Sequence, residues 1–186
     1  MRVIAGRARG RRLTVPHRSR RRGDSLVRPT SDLVRGAIFS ALASLQVDMS
    51  RVLDLYAGSG ALGIEAISRG ANWCDFVDQD RAACETIREN LRLTGFEHQA
   101  RVYPVSAKRA AEELKVPYTL VLADPPYEDE TALRVLESLP GNGLIQQGET
   151  VLVLEHSPRH EPPNDIGGLA LVNSRRHGDS AISIYR

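Results

Sequence analysis

With 186 residues, 41% of them hydrophobic and 26% charged, the chain is long enough for one well-cored soluble domain, and it has no apolar stretch of membrane-spanning length. The charged N-terminus lacks the apolar region of a secretion signal, and the two cysteines, Cys74 and Cys84, are not in CxxC spacing, so a cytoplasmic protein without disulfide framework or zinc site is expected. The net charge of +2 conceals an asymmetry: residues 1–35 carry eleven arginines against Asp24 and Asp32, a charge of +9, which leaves −7 for residues 36–186.

Met1–Ala5 and Arg12–Val15 are β-prone runs joined by Gly6-Arg7-Ala8-Arg9-Gly10-Arg11, whose glycines favour a hairpin displaying its arginines. Pro16 closes the second run. His17 to Val27 is polar, arginine-dense and without periodicity, which predicts a loop. Residues 1–28 are therefore expected to form a basic hairpin and arm, and residues 29–186 the main domain. Arginine pairs with phosphate through parallel N–H groups and stacks on bases, so an arginine-rich arm on an acidic body points to a nucleic-acid substrate. A solvated basic tail is the bland alternative.

A helix opens at Pro29-Thr30-Ser31-Asp32, with Thr30 or Ser31 as cap and Asp32 where the helix dipole favours negative charge. Leu33, Ala37, Ile38, Ala41, Leu42 and Leu45 share one face. Arg28 and Arg35 flank its start and are expected to face a phosphate. From Arg51 the pattern alternates. Val52–Tyr56, Asp75–Asp78, Arg101–Tyr103, Tyr118–Ala123 and Thr150–Leu154 read as strands, and Ala61–Arg69, Asp80–Leu93, Ser106–Leu114 and Glu128–Leu139 as the helices between them. Such alternation predicts a parallel sheet covered on both faces. Leu169–Val172 and Ala181–Tyr185 flank an Arg175-Arg176-His177-Gly178 turn with no intervening helix, so a closing hairpin with one antiparallel strand is expected.

The chemistry concentrates at strand ends. Tyr118–Ala123 stops at Asp124-Pro125-Pro126-Tyr127, and two prolines, lacking N–H groups, cannot continue a ladder. The chain leaves the sheet rigidly at the carboxyl end of a strand, where open α/β sheets keep their ligands. The Asp124 carboxylate and Pro125 carbonyl supply two acceptors, and Tyr127 a flat ring: the combination an exocyclic amine on a planar base requires. A strand-ending turn with a stray Asp is the competing reading.

Gly58-Ser59-Gly60-Ala61-Leu62-Gly63 matches GxGxxG between strand and helix, with Asp78 twenty positions beyond Gly58. Alone this fits a dinucleotide fingerprint. Asp54, four residues before Gly58, would repel a pyrophosphate and suits a cationic ligand. S-adenosylmethionine carries a sulfonium and an ammonium and no phosphate. Asp54 near its methionine part, the glycine backbone against it and Asp78 on its ribose make a consistent pocket.

Over nearly its whole length the chain resembles the bacterial 16S ribosomal RNA guanine-N2 methyltransferases of the RsmD type. The resemblance is carried by Gly6-Arg-Ala-Arg-Gly10-Arg-Arg-Leu13, Arg28-Pro-Thr-Ser-Asp32-Leu-Val-Arg35, Asp54 to Gly63, Glu65-Ala66, Ser68-Arg-Gly70, Asp124-Pro-Pro-Tyr127 and Gly178-Asp179-Ser180. It implies a Rossmann-like class I methyltransferase, α/β, with a seven-strand mostly parallel sheet, helices on both faces and an N-terminal β-hairpin extension. It implies S-adenosylmethionine as donor and a guanine N2 in 16S rRNA, free or in an assembling small subunit, as acceptor; a monomer is expected.

The catalytic set is then Asp124, Pro125 and Tyr127, and the cofactor set Asp54, Gly58, Gly60, Gly63, Asp78, Ser106 and Ala107. RNA is assigned to Arg7, Arg9, Arg11, Arg12, Arg20, Arg21, Arg22, Arg28 and Arg35. The chain departs from relatives at Gly36 and Asp78, where Glu is usual, at Ser106, where Asp often precedes Ala107, and in a longer insert at 17–24. Guanine N2 is a poor nucleophile because its lone pair is delocalised. Acceptors at Asp124 and Pro125 would orient it and stabilise developing charge, while Tyr127 stacks on the extruded base.

Glu155 and His156 end a strand near this region, where structural use competes with lining the pocket. His156 and His160 are separated by Pro158, which argues against a metal pair. Trp73 receives no role. An adenine-N6 methyltransferase acting on DNA, or a non-enzymatic RNA-binding protein, are the other functions weighed. The second leaves Asp54, Asp78 and Asp124 unexplained.

Overall fold

The computed structural model describes residues 1–16, 32–127 and 129–186. Five short apolar runs form the parallel centre of the sheet: β1 (Arg51–Leu55), β2 (Trp73–Val77), β3 (Ala100–Tyr103), β4 (Leu120–Ala123) and β5 (Val151–His156). They lie in the order β3-β2-β1-β4-β5. Between them run α2 (Ala61–Ser68), α3 (Arg81–Thr94), α4 (Ala107–Glu113) and α5 (Ala132–Ser138), while α1 (Asp32–Ser44) precedes the sheet. Side chains alternate across each strand. Val52, Leu120, Leu122, Val151 and Val153 meet α1, α2 and α3 in one core, and Leu53, Leu55, Val121, Leu152 and Leu154 meet α4 and α5 in the other.

The sheet continues beyond β5 through β8 (Ser180–Tyr185), β7 (Leu169–His177) and β6 (Asp165–Ile166), each antiparallel to its neighbour. The expected closing hairpin is present, but among the described residues the sheet has eight strands rather than seven. The extra strand comes from Gly167 and Gly168, both at positive φ (60° and 86°), which reverse the chain within two residues. Their turn is pinned by Asp165 Oδ1 accepting from Gly168 N at 2.9 Å. β7 also runs to His177, five residues past its expected end, because pairing with β8 recruits the polar stretch 173–177. α5 starts at Ala132, not at residue 128: Asp129 Oδ1 first accepts from the amide and hydroxyl of Thr131 (2.9 and 2.6 Å) in a turn.

The N-terminal hairpin pairs around an Arg2–Arg12 bridge, with Val3 N donating to the Arg11 carbonyl (2.9 Å) and Leu13 N to the Met1 carbonyl (3.0 Å), and much of its fixation comes from α2. The Glu65 carboxylate accepts from Ile4 N and Ala5 N (2.8 and 3.0 Å). Ser68 takes Ala8 N on its hydroxyl oxygen at 3.0 Å, donates to Ala5 O at 2.6 Å, and receives Arg7 N on its carbonyl at 2.8 Å. Gly6 (φ +81°) lies against the Ser68 carbonyl, so any Cβ there would collide with backbone. Val3, Ala8 and Leu13 are buried in the α2-side core. Among the described residues no helix is long and apolar enough to cross a membrane.

Candidate active site

The strand order reverses direction between β1 and β4, which opens a crevice at their carboxyl ends. Asp54 of β1, in register with Phe76 of β2 and Leu122 of β4, stands at its floor. It is 1% exposed, and its Oδ2 accepts from Gly63 N at 2.9 Å. Burial pushes the Asp54 carboxyl well above the ordinary carboxylate range. The Gly63 hydrogen bond opposes that shift, while the negative charges of Asp124 and Asp78 reinforce it. Asp54 thus feels the negative charges of both Asp78 and Asp124 at one end of the sheet, an arrangement that suits a cationic ligand.

The loop from β1 to α2 departs from ordinary backbone repeatedly: Tyr56, Gly58 and Gly60 have φ of 61°, 57° and 75°. A left-handed tyrosine is strained, and such strain concentrates at ligand sites. Burial, with the charge of Asp129, raises the Tyr56 phenol to about 12. Asp78, just past β2, ties the loop down: its Oδ2 accepts from Gly58 N at 2.8 Å and its Oδ1 from Asp80 N at 2.8 Å. Each oxygen keeps a second acceptor position, so the carboxylate still fits a ribose diol. A Cβ on Gly58 would meet only the Tyr56 carbonyl at 4.0 Å, which leaves that side of the loop open to a ligand. Gly63 instead packs on Phe76 and Cys74, where a Cβ has no room.

Across the crevice, β4 is followed by Asp124, half-buried, and then by the buried Pro125 and exposed Pro126. Tyr127 is 51% exposed, and its hydroxyl lies 2.9 Å from Ser180 Oγ and 3.3 Å from the Asp179 carbonyl. Ser106 acts as the cap of α4, accepting from Arg109 N at 3.2 Å, and Ala107 packs into the α4-side core.

The expected RNA-facing arginines separate. Arg9, Arg11 and Arg12 are exposed on the hairpin. Arg7 is tethered, donating to the Ile67 carbonyl (3.2 Å) and Gln99 Oε1 (2.8 Å) with its guanidinium 5.1 Å from the Phe96 ring centre. Arg35 does not face a phosphate. It is fully buried and donates to the Arg2 carbonyl (2.6 Å) and Asp32 Oδ1 (2.8 Å), clasping the hairpin to α1. The sequence showed a cation near a helix start, and only packing reveals that its surroundings are protein. Arg20, Arg21, Arg22, Arg28 and the insert 17–24 lie outside the described residues.

Two features had no sequence signal. Trp73 and Tyr118 both donate to Asp75 (2.8 Å each), a buried carboxylate in the middle of β2. Ser180 Oγ, 2.7 Å from Glu155 Oε1, links the end of β5 to Tyr127. A cavity of about 370 Å³ lined by Arg51, Arg101, Tyr103, Leu114 and Lys115 shares no residue with the carboxylate site.

A parallel β3-β2-β1-β4-β5 core closed by antiparallel strands, with a glycine loop after β1 and carboxylates ending β1, β2 and β4, defines a Rossmann-like class I methyltransferase fold. The family model described as "Conserved hypothetical protein 95" matches residues 1–186. The chain belongs to that family, of the RsmD type. It is 34% identical over 189 residues to "Putative rRNA methyltransferase YlbH" of Bacillus subtilis, covering 100% of this chain and 98% of that one. It is 33% identical over 187 residues to "Ribosomal RNA small subunit methyltransferase D" of Escherichia coli K12, covering 100% and 89%. A solved structure of "Putative methyltransferase yhhF from Escherichia coli" superposes with a TM-score of 0.84 at 32% identity, covering 100% and 96%.

Proposed function

We propose that the protein transfers a methyl group from S-adenosylmethionine to the exocyclic N2 of a guanine in 16S rRNA, in the cytoplasm, on free rRNA or an assembling small subunit. The observation that carries the reading is the convergence of Asp54, Asp78 and Asp124 on one crevice beside an open glycine loop. The names of the relatives support ribosomal RNA as the substrate class.

The cofactor fits the residues present. Asp78 would hold the ribose hydroxyls, the open side of Gly58 would lie along the ligand, and Asp54, buried with one backbone N–H donor and in the field of Asp78 and Asp124, would favour the cationic methionine portion. When bound, it supplies an electrophilic methyl group. Asp124 would accept one amine proton in a hydrogen bond and the Pro125 carbonyl the other, aiming the nitrogen lone pair and stabilising positive charge as it develops. A strong base is unnecessary, since the methylated nitrogen is acidic and loses its proton late. Tyr127 presents an exposed ring on which an extruded base would stack. The exposed Arg9, Arg11 and Arg12 would meet phosphates.

Single-turnover transfer from labelled S-adenosylmethionine to small subunits from a strain lacking the gene, followed by nucleoside digestion, tests the whole reading. N2-methylguanosine is the expected product. Label in another nucleoside, or none in rRNA, would overturn it.

A further inference from the structure

The geometry points to Ser180 and Glu155 as positioning residues that set the attitude of the Tyr127 ring through a directed chain of hydrogen bonds. This deepens, and rests on, the reading of Tyr127 as the platform for the target base. Three elements distant in sequence meet here: the loop after β4, the first residue of β8 and the fifth of β5. Tyr127 Oη is 2.9 Å from Ser180 Oγ, and Ser180 Oγ is 2.7 Å from Glu155 Oε1.

Chemistry fixes the direction. The Ser180 hydroxyl donates its one proton to Glu155 Oε1. The lone pairs of Ser180 Oγ are thereby left for the phenol, and Tyr127 must donate. The Asp179 carbonyl, 3.3 Å away, accepts from the same phenol. Burial raises the Tyr127 phenol, which keeps it protonated as the donor at neutral pH.

Glu155 is 5% exposed and sits in the β5–β8 ladder opposite Ile182, so the chain ends on a rigid base. Tyr127, by contrast, lies in a loop with half of its surface in solvent. Without the tether, the ring of an exposed loop residue samples several orientations, and only some place a stacked base with its amine at Asp124. Gly178-Asp179-Ser180 thus gains a function: its tight turn (Gly178 φ 63°) delivers one carbonyl and one hydroxyl to the phenol.

The test compares Ser180→Ala, Ser180→Thr, Tyr127→Phe, the double variant Ser180→Ala/Tyr127→Phe, and Tyr127→Ala in single-turnover transfer to unmodified small subunits at saturating cofactor. Ser180→Ala and Tyr127→Phe should each slow transfer about 2- to 10-fold, the scale of one neutral hydrogen bond. The double variant should be no slower than the worse single, because both remove the same bond. Ser180→Thr should restore the rate, and cofactor affinity by calorimetry should not move. Wild-type rates in Ser180→Ala, or losses that multiply in the double variant, would overturn the relay. Tyr127→Ala separates this from the underlying reading. A wild-type rate there removes Tyr127 as the base platform, whereas a large loss there with an unaffected Ser180→Ala removes only the relay.

Discussion

Two buried aspartates lie on neighbouring strands, and their surroundings differ in kind. Asp75 on β2 accepts from Trp73 Nε1 and Tyr118 Oη at 2.8 Å each and lies 3.5 Å from an Arg51 guanidinium nitrogen. Asp54 on β1 accepts one backbone N–H and otherwise faces the charges of Asp78 and Asp124. Both are 1% exposed. The first carboxylate is satisfied by side chains of the fold, so it holds the fold. The second is left short of positive charge, which a ligand can supply. Burial alone does not separate a structural from a functional carboxylate. The sign of what surrounds it does.

Asp75→Ala strands the buried Tyr118 hydroxyl and the half-buried Trp73 N–H, and should cost about 1–3 kcal/mol of stability for each donor left without a partner. Calorimetric unfolding checks this, and the variant that remains folded should bind S-adenosylmethionine as wild type does. Impaired cofactor binding in folded protein would merge the two sites. Asp124→Ala should do the reverse, leaving stability and cofactor binding nearly intact while single-turnover transfer falls roughly 10²-fold or more. Asp124→Asn keeps the shape and one acceptor oxygen. Activity there well above that of Ala means Asp124 positions the amine, and equal loss means its charge is required.

Asp78→Ala should weaken S-adenosylmethionine binding by about 1.5–3 kcal/mol per charge-assisted bond lost, measured by titration calorimetry. Unchanged affinity would remove Asp78 from the ribose. The finest test is Asp54→Asn, which keeps an acceptor for Gly63 N–H but discards the charge. The folded carboxyl is raised above its ordinary value of 3.8. The buried charge therefore costs stability above the raised value, and protonation relieves that cost as pH falls through it. At neutral pH the ligand-free Asn variant should melt a few degrees higher than wild type, and the gap should close on acidification toward 3.8. With cofactor present its advantage should disappear, because the variant gives up the charge that favours a cation. A gap independent of pH would mean Asp54 is compensated as fully as Asp75.

Much of the functional end was legible in residue order. The strand–helix alternation, the glycine loop after β1 and the prolines after Asp124 are local constraints on backbone, and the structure carries each near its expected place. The arginines were less legible. A guanidinium reads the same in sequence whether it faces solvent, like Arg9, or lies wholly inside, like Arg35.

Periodicity, glycine and proline act over a few residues, so the parallel sheet, the order of its elements and the carboxylates at three strand ends could be read from residue order. Tertiary structure decided what those groups face. Ser68 takes the hairpin amide 60 residues away, Tyr118 reaches Asp75 across 43, and Tyr127 meets Ser180 across 53. No spacing rule links such positions. They meet because the sheet order sets β4 between β1 and β5, and folds β8 back against β5. Donors and acceptors brought together in that way settle which charges are satisfied and which await a ligand.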